Sequence, residues 1–312
     1  MPDMDGVICI NKQPGMTSHD VVAQARHILN HRRVGHAGTL DPFATGLLVL
    51  LVGRATRLTQ FLTALEKEYE AIIRLGFATD TADRTGTPIS EVATGQQWTG
   101  EQIEQALAGL RGEIDQVPPM YSAKKQGGRK LYELARKGAE VERAPVRVNI
   151  YEFEPIKPKG EWLKNNLDGT VDFEVRVVCS PGTYIRTLAE DFGKQLNVGA
   201  HLAELRRTRV GDFTIGEALT LTQLKTTAAE EALGRALYTP DAALTRLPAI
   251  NVSDEDIRRI RHGLNLEISD PKWINGERVR IRDTAGHLIA VGTFDQEAAE
   301  LHPSVVLSVE DQ

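Results

Sequence analysis

Apolar and polar positions alternate with a period of two along some stretches of the chain and with a helical period along others. Residues 171–178 set Val171, Phe173, Val175 and Val177 against Asp172, Glu174 and Arg176, which predicts a strand with one wet face. Residues 68–76 predict another, with Tyr69, Ala71 and Ile73 on one side and Ile72 on the other. Residues 7–10 and 146–153 also read as strands, and the apolar run 47–52 is either a buried strand or the start of a helix. Helical spacing puts Val21, Val22, Ala25, Ile28 and Leu29 on one face, with Ser18 as N-cap. A capping box of Thr99 and Gln102 starts a helix that turns Ile103, Ala106, Leu107 and Leu110 inward and stops at Gly112. A turn at Ser180-Pro181-Gly182-Thr183 leads into a helix carrying Tyr184, Ile185, Leu188, Ala189, Phe192 and Leu196.

Between these elements the chain is punctuated. Residues 117–125 are extended, Gly127-Gly128 is a flexible joint, and a short basic helix over 130–137 ends at Gly138. Residues 155–169 read as a long hairpin loop. Residues 240–248 read as a linker. A helix over 253–261 follows, then strands near 279–281, 288–291 and 305–307, with Asn275-Gly276 and Ala285-Gly286 as turns. The pattern therefore predicts a large domain over 1–248 and a small β-rich domain over 249–312.

Composition narrows the classes. With 41% hydrophobic and 26% charged residues the chain reads as globular. The longest apolar run, 47–52, is far too short to cross a bilayer, and the start lacks the regions of a signal peptide. Cys9 lies between apolar residues and Cys179 ends an apolar run, and both fit reduced, buried thiols; the expected compartment is the cytoplasm. The net charge of -6 is uneven. Residues 254–312 hold 12 acids against 7 bases, whereas residues 124–147 hold eight bases against three acids. That basic island is either a phosphate-binding surface or an ordinary solvated face. His27 and His31 stand four apart with His36 beyond, which raises a metal site. No acidic ligand accompanies them, and Arg32 and Arg33 would repel a dication, so no metal is expected.

The candidate chemistry lies in Gly35-His36-Ala37-Gly38-Thr39-Leu40-Asp41-Pro42-Phe43-Ala44-Thr45-Gly46. Pro42 fixes its own φ and biases Asp41 away from the helical region. One carboxylate is thus shown on a stiff loop anchored by the apolar run after it. It is either a catalytic acid or the acid of a tight turn. Arg186 opens a helix, where a cation opposes the helix dipole at a cost of about 0.3–1 kcal/mol. It needs an anionic partner from elsewhere, and Asp41 is a candidate. Residues 205–209 form a further basic cluster.

These motifs together resemble the bacterial tRNA pseudouridine-55 synthases of the TruB family, over nearly the whole chain. The loop 35–46 is similar to the family's GHxGTLDPxAxG motif, and Asn11-Lys12-Gln13-Pro14-Gly15-Met16-Thr17-Ser18 to its N-terminal motif. Lys67-Glu68-Tyr69 and the loop 79–86 resemble its K-x-Y and TDT-x-D-x-x-G elements. Pro119-Met120-Tyr121-Ser122-Ala123 and Leu131-Tyr132-Glu133-Leu134-Ala135-Arg136 resemble the flanks of an RNA-clasping insertion, about 121–143. Residues 179–193 and 199–211 resemble two more signatures.

The resemblance implies an α+β pseudouridine synthase domain with a long, mainly antiparallel mixed sheet and a small PUA-like C-terminal domain. It implies isomerisation of a uridine in the T-loop of tRNA, with no cofactor or metal and no obligatory protein partner, by a monomer acting on the T-arm stem-loop. By the same resemblance Asp41 is the essential carboxylate and Arg186 its partner; Tyr69 stacks on the flipped base or takes its C5 proton. Tyr184 and Leu205 line the base pocket, and His36 holds the loop of the RNA open. Lys124, Lys125, Arg129, Lys130, Arg136 and Arg206 are the expected backbone contacts. Asp41 is expected ionised, with its pKa lowered by Arg186. Competing readings are a guide-dependent box H/ACA-type synthase, a non-catalytic RNA-binding or RNA-folding protein, and a zinc hydrolase built on the three histidines.

Overall fold

The computed structural model describes residues 4–93, 95–120, 125–126, 129–130, 143–158 and 160–307, with the pairs 125–126 and 129–130 as backbone only. In chain order the strands of the first part are β1 (Gly6–Lys12), β2 (Val34–His36), β3 (Thr45–Val52), β4 (Lys67–Leu75), β5 (Gly112–Gln116), β6 (Lys125–Gln126) and β7 (Arg129–Lys130). They continue with β8 (Val146–Pro155), β9 (Leu163–Asn165), β10 (Val171–Cys179), β11 (Ala200–Val210) and β12 (Phe213–Thr214). Ten of these form one sheet ordered β1-β3-β11-β4-β10-β8-β5, with β2 beside β3, β9 beside β10 and β12 beside β11. Among the described residues its pairings are antiparallel except β3 with β11, so the expected α+β class and mainly antiparallel mixed sheet are met.

The run 47–52 resolves as strand β3, buried along nearly its whole length between β1 and β11. The wet face expected on β10 carries a ladder of cross-strand ion pairs. Arg74 of β4 grips Asp172 with two hydrogen bonds of 2.7 and 2.9 Å. Arg176 bridges Glu68 on one neighbouring strand to Glu152 and Glu154 on the other. The opposite face packs Phe173 and Phe153 against Phe192 of the helix Ile185–Gln195.

Several boundaries differ from the sequence reading. The helix Ser18–Ile28 is capped by Thr17, whose side chain and Asp20 form a reciprocal box. Ser18 is freed for another contact: its buried hydroxyl accepts from the Leu40 amide at 2.9 Å, tying the helix to the loop before Asp41. The helix Gly100–Ala108 has the expected box of Thr99 and Gln102 but ends at Gly109; Gly112, at φ +83°, instead opens β5. The loop 155–169 contains β9, and strand β11 and the helix Leu221–Ala229 were not anticipated. Lys130, expected to begin a helix, pairs in β7 with β6, and 131–137 lie outside the described residues.

The remaining strands are β13 (Ala249–Asn251), β14 (Leu266–Glu267), β15 (Arg278–Arg282), β16 (Leu288–Asp295) and β17 (Glu300–Val306). They make a separate sheet ordered β13-β15-β16-β17-β14, joined by the helix Asp254–Arg261. The stretch 240–248 is no loose linker. Ala243 and Leu244 are buried in a cluster that also holds Val49, Leu51 and Leu62 of the large sheet's side and Leu288, Val291 and Leu307 of the small one. Arg280 fixes the same stretch through Asp241 at 2.8 Å and the Leu247 carbonyl at 2.9 Å.

Candidate active site

The loop between β2 and β3 is held mainly through its carbonyls. Leu40, Phe43 and Ala44 point into the core, which leaves the backbone turning around them. Lys12, 1% exposed at the end of β1, donates to the carbonyls of Gln13 (3.1 Å), Pro42 (3.2 Å) and Ala44 (2.6 Å). Arg207, 1% exposed on β11, donates to the carbonyls of Leu47 (2.8 Å), Gly38 (3.0 Å) and Thr39 (3.4 Å). Gly38, at φ +109°, takes a conformation open to glycine and awkward for other residues. Burial lowers the Lys12 ammonium to about 8, with Asp41 acting to restore it.

Asp41 emerges from this loop into a two-pronged contact with Arg186. Nε donates to Oδ2 at 2.9 Å and Nη2 to Oδ1 at 3.1 Å. The Arg186 side chain is 5% exposed and that of Asp41 31%. The guanidinium is held from behind by the Thr81 carbonyl (3.2 Å) and Asp83 (3.6 Å). Asp83 is itself fixed by the Thr85 amide at 2.9 Å and the Thr81 hydroxyl at 3.0 Å, which explains the threonine-rich loop 79–86. The cation at a helix start thus has its anion from another part of the chain. Burial pushes the Asp41 carboxyl above its ordinary value, Arg186 draws it back, and Asp83 pushes it up again. The expectation of a lowered pKa is corrected: desolvation outweighs the cation. The fork geometry still fits the carboxylate, which accepts at both oxygens.

A cleft of about 230 Å³ opens over this pair, lined among others by Asp41, Tyr69, Tyr184, Arg186, Leu205 and Arg207. Five residues singled out from the sequence therefore meet in one place. Tyr69 comes from β4, opposite Arg207 of β11 and Val177 of β10. Burial raises its hydroxyl, opposed by the charge and hydrogen bond of Arg207, so the phenol is held in its protonated form. Tyr184 precedes the Arg186 helix, where its amide donates to the Gln116 side chain at 3.0 Å.

Other predicted residues lie apart. His36 sits on β2, edge-on to His19 at 5.5 Å between ring centroids, with a buried Nδ1 that has no partner. Burial and the neighbouring cations lower it to about 4, so it is neutral at neutral pH. Arg206 is exposed, 4.0 Å from Glu70, and lines a neighbouring groove of about 480 Å³ with Phe43 and Arg84. Leu205 borders both spaces. Lys124 and Arg136 lie outside the described residues; Lys125, Arg129 and Lys130 belong to the β6–β7 hairpin. Sequence reasoning missed Lys12, Asp83 and Arg207 as parts of the site. Lys12 carried a faint signal, a lone cation directly after an apolar strand.

Among the described residues no group of three or more His, Cys, Asp or Glu could hold a metal, and no helix is long and apolar enough to cross a membrane. Cys9 and Cys179 are free and buried, their thiols pushed up to about 12 and about 11.

The large mixed sheet that carries this carboxylate and arginine has the fold of a pseudouridine synthase. The archaeal box H/ACA Nop10-Cbf5 complex contains a chain that superimposes with a TM-score of 0.71 at 28% identity, over 98% of this chain and 87% of that one. Residues 26–185 match the TruB family pseudouridylate synthase N-terminal domain, and residues 186–245 the tRNA pseudouridylate synthase B C-terminal domain. The tRNA pseudouridine synthase B of Solibacter usitatus is 42% identical over 97% of this chain and 100% of that one. That of Mycobacterium sp. (strain KMS) is 49% identical over 87% and 86%. The chain belongs to the TruB family of pseudouridylate synthases.

Proposed function

We propose that the chain isomerises uridine 55 in the T-loop of tRNA to pseudouridine. The reaction breaks the N1–C1′ bond and forms a C5–C1′ bond within one nucleotide, so it calls for a positioned nucleophile or base and no net oxidation. The observation that carries the reading is the Asp41 carboxylate, gripped at both oxygens by Arg186, in a cleft that also contains Tyr69. Tyr69 offers a ring face for the extruded base; such stacking is worth about 1–3 kcal/mol and offsets the few kcal/mol of unstacking. Tyr184 and Leu205 flank the same space, and His36 meets the RNA beside it.

Residues 1–248 act in this reading as the catalytic domain, with the insertion 121–143 clasping the T-arm. Residues 249–312 form a PUA-like unit. The enzyme works as a cytoplasmic monomer without a guide RNA. The solved box H/ACA neighbour stands at 28% identity, whereas the curated tRNA-specific relatives stand at 42% and 49%, which favours the stand-alone enzyme. The test is pseudouridine mapping on a bare T-arm stem-loop incubated with the purified chain and with Asp41→Asn. Product from the wild type alone is expected. Product from both removes Asp41 from the chemistry; product only with added guide RNA and partner proteins moves the chain to the guide-dependent class.

A further inference from the structure

Arg207 has the largest side chain among those fully buried, and among the described residues its hydrogen-bond acceptors are main-chain carbonyls. A buried arginine without a carboxylate is costly unless its donors are all engaged. Here they are turned toward one object. Two of its nitrogens reach the carbonyls of Gly38 and Thr39, the residues that lead into Asp41, and Nε reaches Leu47 beyond the loop. Arg207 also stands directly opposite Tyr69 across the β11–β4 pairing, and both line the cleft. The backbone adds a second tie: β11 pairs in parallel with β3 at Arg206 with Thr45 and Arg207 with Gly46. Both ends of the segment bearing Asp41 are therefore joined to one residue of β11.

Gly46 makes the closeness of that junction explicit. A Cβ there would stand 2.3 Å from the Arg207 carbonyl oxygen, at a φ of +100°. The loop cannot move away from β11 without breaking the pairing, nor toward it without a clash. We propose that Arg207 is the positioning residue of the site: its guanidinium, acting through the carbonyls of Gly38 and Thr39, sets where the Asp41 carboxylate stands relative to Tyr69. This rests on the proposed isomerase activity. Lysine is a poor substitute, because a compact ammonium cannot span the three carbonyls as the planar fork does.

The test uses the full-length chain with Arg207→Lys and Arg207→Met. Single-turnover pseudouridine formation, T-arm affinity and thermal melting are measured together. The expected result is a rate about 10²-fold lower for Arg207→Met, the order that a misplacement of about 1 Å produces, with RNA affinity unchanged. Arg207→Lys should recover part of that rate. If Arg207→Met fails to fold, Arg207→Lys alone carries the test: a slower rate at wild-type affinity supports positioning. A folded variant turning over at the wild-type rate overturns the proposal, as does a rate loss matched by weaker RNA binding. Absence of product from the wild type would instead sink the isomerase reading itself.

Discussion

At Asp41 burial and a neighbouring cation pull in opposite directions, and burial wins. The sign of the pH effect follows. A raised carboxyl pKa means the proton is taken up at higher pH than in a free aspartate, whose value is about 3.9. The proposed reaction needs the carboxylate, so its rate is expected to be full above the folded pKa and to fall as pH drops through it. The acid limb of the single-turnover rate should therefore lie above pH ~4, in contrast to a limb at or below that of a free aspartate. Arg186→Lys should leave the limb in place, because the charge stays, yet lower the rate by about 10²-fold, because the fork that orients both oxygens is gone. A displaced limb at unchanged rate would assign Arg186 a purely electrostatic part. At this scale much was legible in the sequence. The stiff loop 35–46 displayed Asp41, and a cation in the first turn of a helix, which calls for an anion, made it a candidate partner of Arg186. The direction of the Asp41 shift was not legible, because desolvation depends on what packs around the loop. Arg207 was hidden, and Lys12 nearly so, for a different reason: their partners are main-chain carbonyls, which leave no mark on residue type.

Strand β11 shows how an element can be central and still unreadable. It lies between β3 and β4, carries Leu205 and Arg207 into the cleft, and extends over 11 residues. Its alternation is interrupted by register shifts between Leu202 and Glu204 and between Arg207 and Arg209. A bulge adds a residue on one side and moves the following side chains to the other face, so a strict period of two finds no strand. Residues 205–209 read only as a basic cluster, although Arg207 is among the most buried residues of the protein. By contrast β10 and β4 pair without interruption, and both were evident from alternation alone. The same junction yields a sharp expectation. Gly46→Ala combines a positive φ with a backbone clash, so it should destabilise the fold by more than about 1 kcal/mol, measured by denaturant unfolding. Gly15→Ala, with a positive φ but open space around it, should cost less. Equal costs would show that the β3–β11 junction yields easily.

On the scale of the whole molecule, charge is distributed against the simplest picture of an RNA-binding protein. The chain carries a net -6, and its last 59 residues, 254–312, hold 12 acids against 7 bases. Electrostatic attraction to tRNA is thus expected to fall chiefly on the basic residues of 124–147. Replacing Lys124, Lys125, Arg129 and Lys130 with glutamine should reduce the slope of log affinity against log salt by roughly 0.7–0.9 per lost phosphate contact. An unchanged slope would assign that segment to solvent. The β-rich character of the C-terminal part was readable from the turn and strand pattern, whereas the apolar seam formed by Ala243, Leu244, Leu288 and Leu307 was not, because each residue looks ordinary in its own stretch. The position of β11 also bears on how the protein is made. It is the last long strand of the large sheet to be synthesised, yet it enters the middle, and the matched family segments divide at 185, one residue before Arg186. A nascent chain that has emerged only as far as residue 199 owns Asp41, Tyr69 and Arg186 but has two part-sheets with open edges and nothing to join β3 to β4. The side chains proposed for the chemistry are then all present before β11 brings their strands into one sheet.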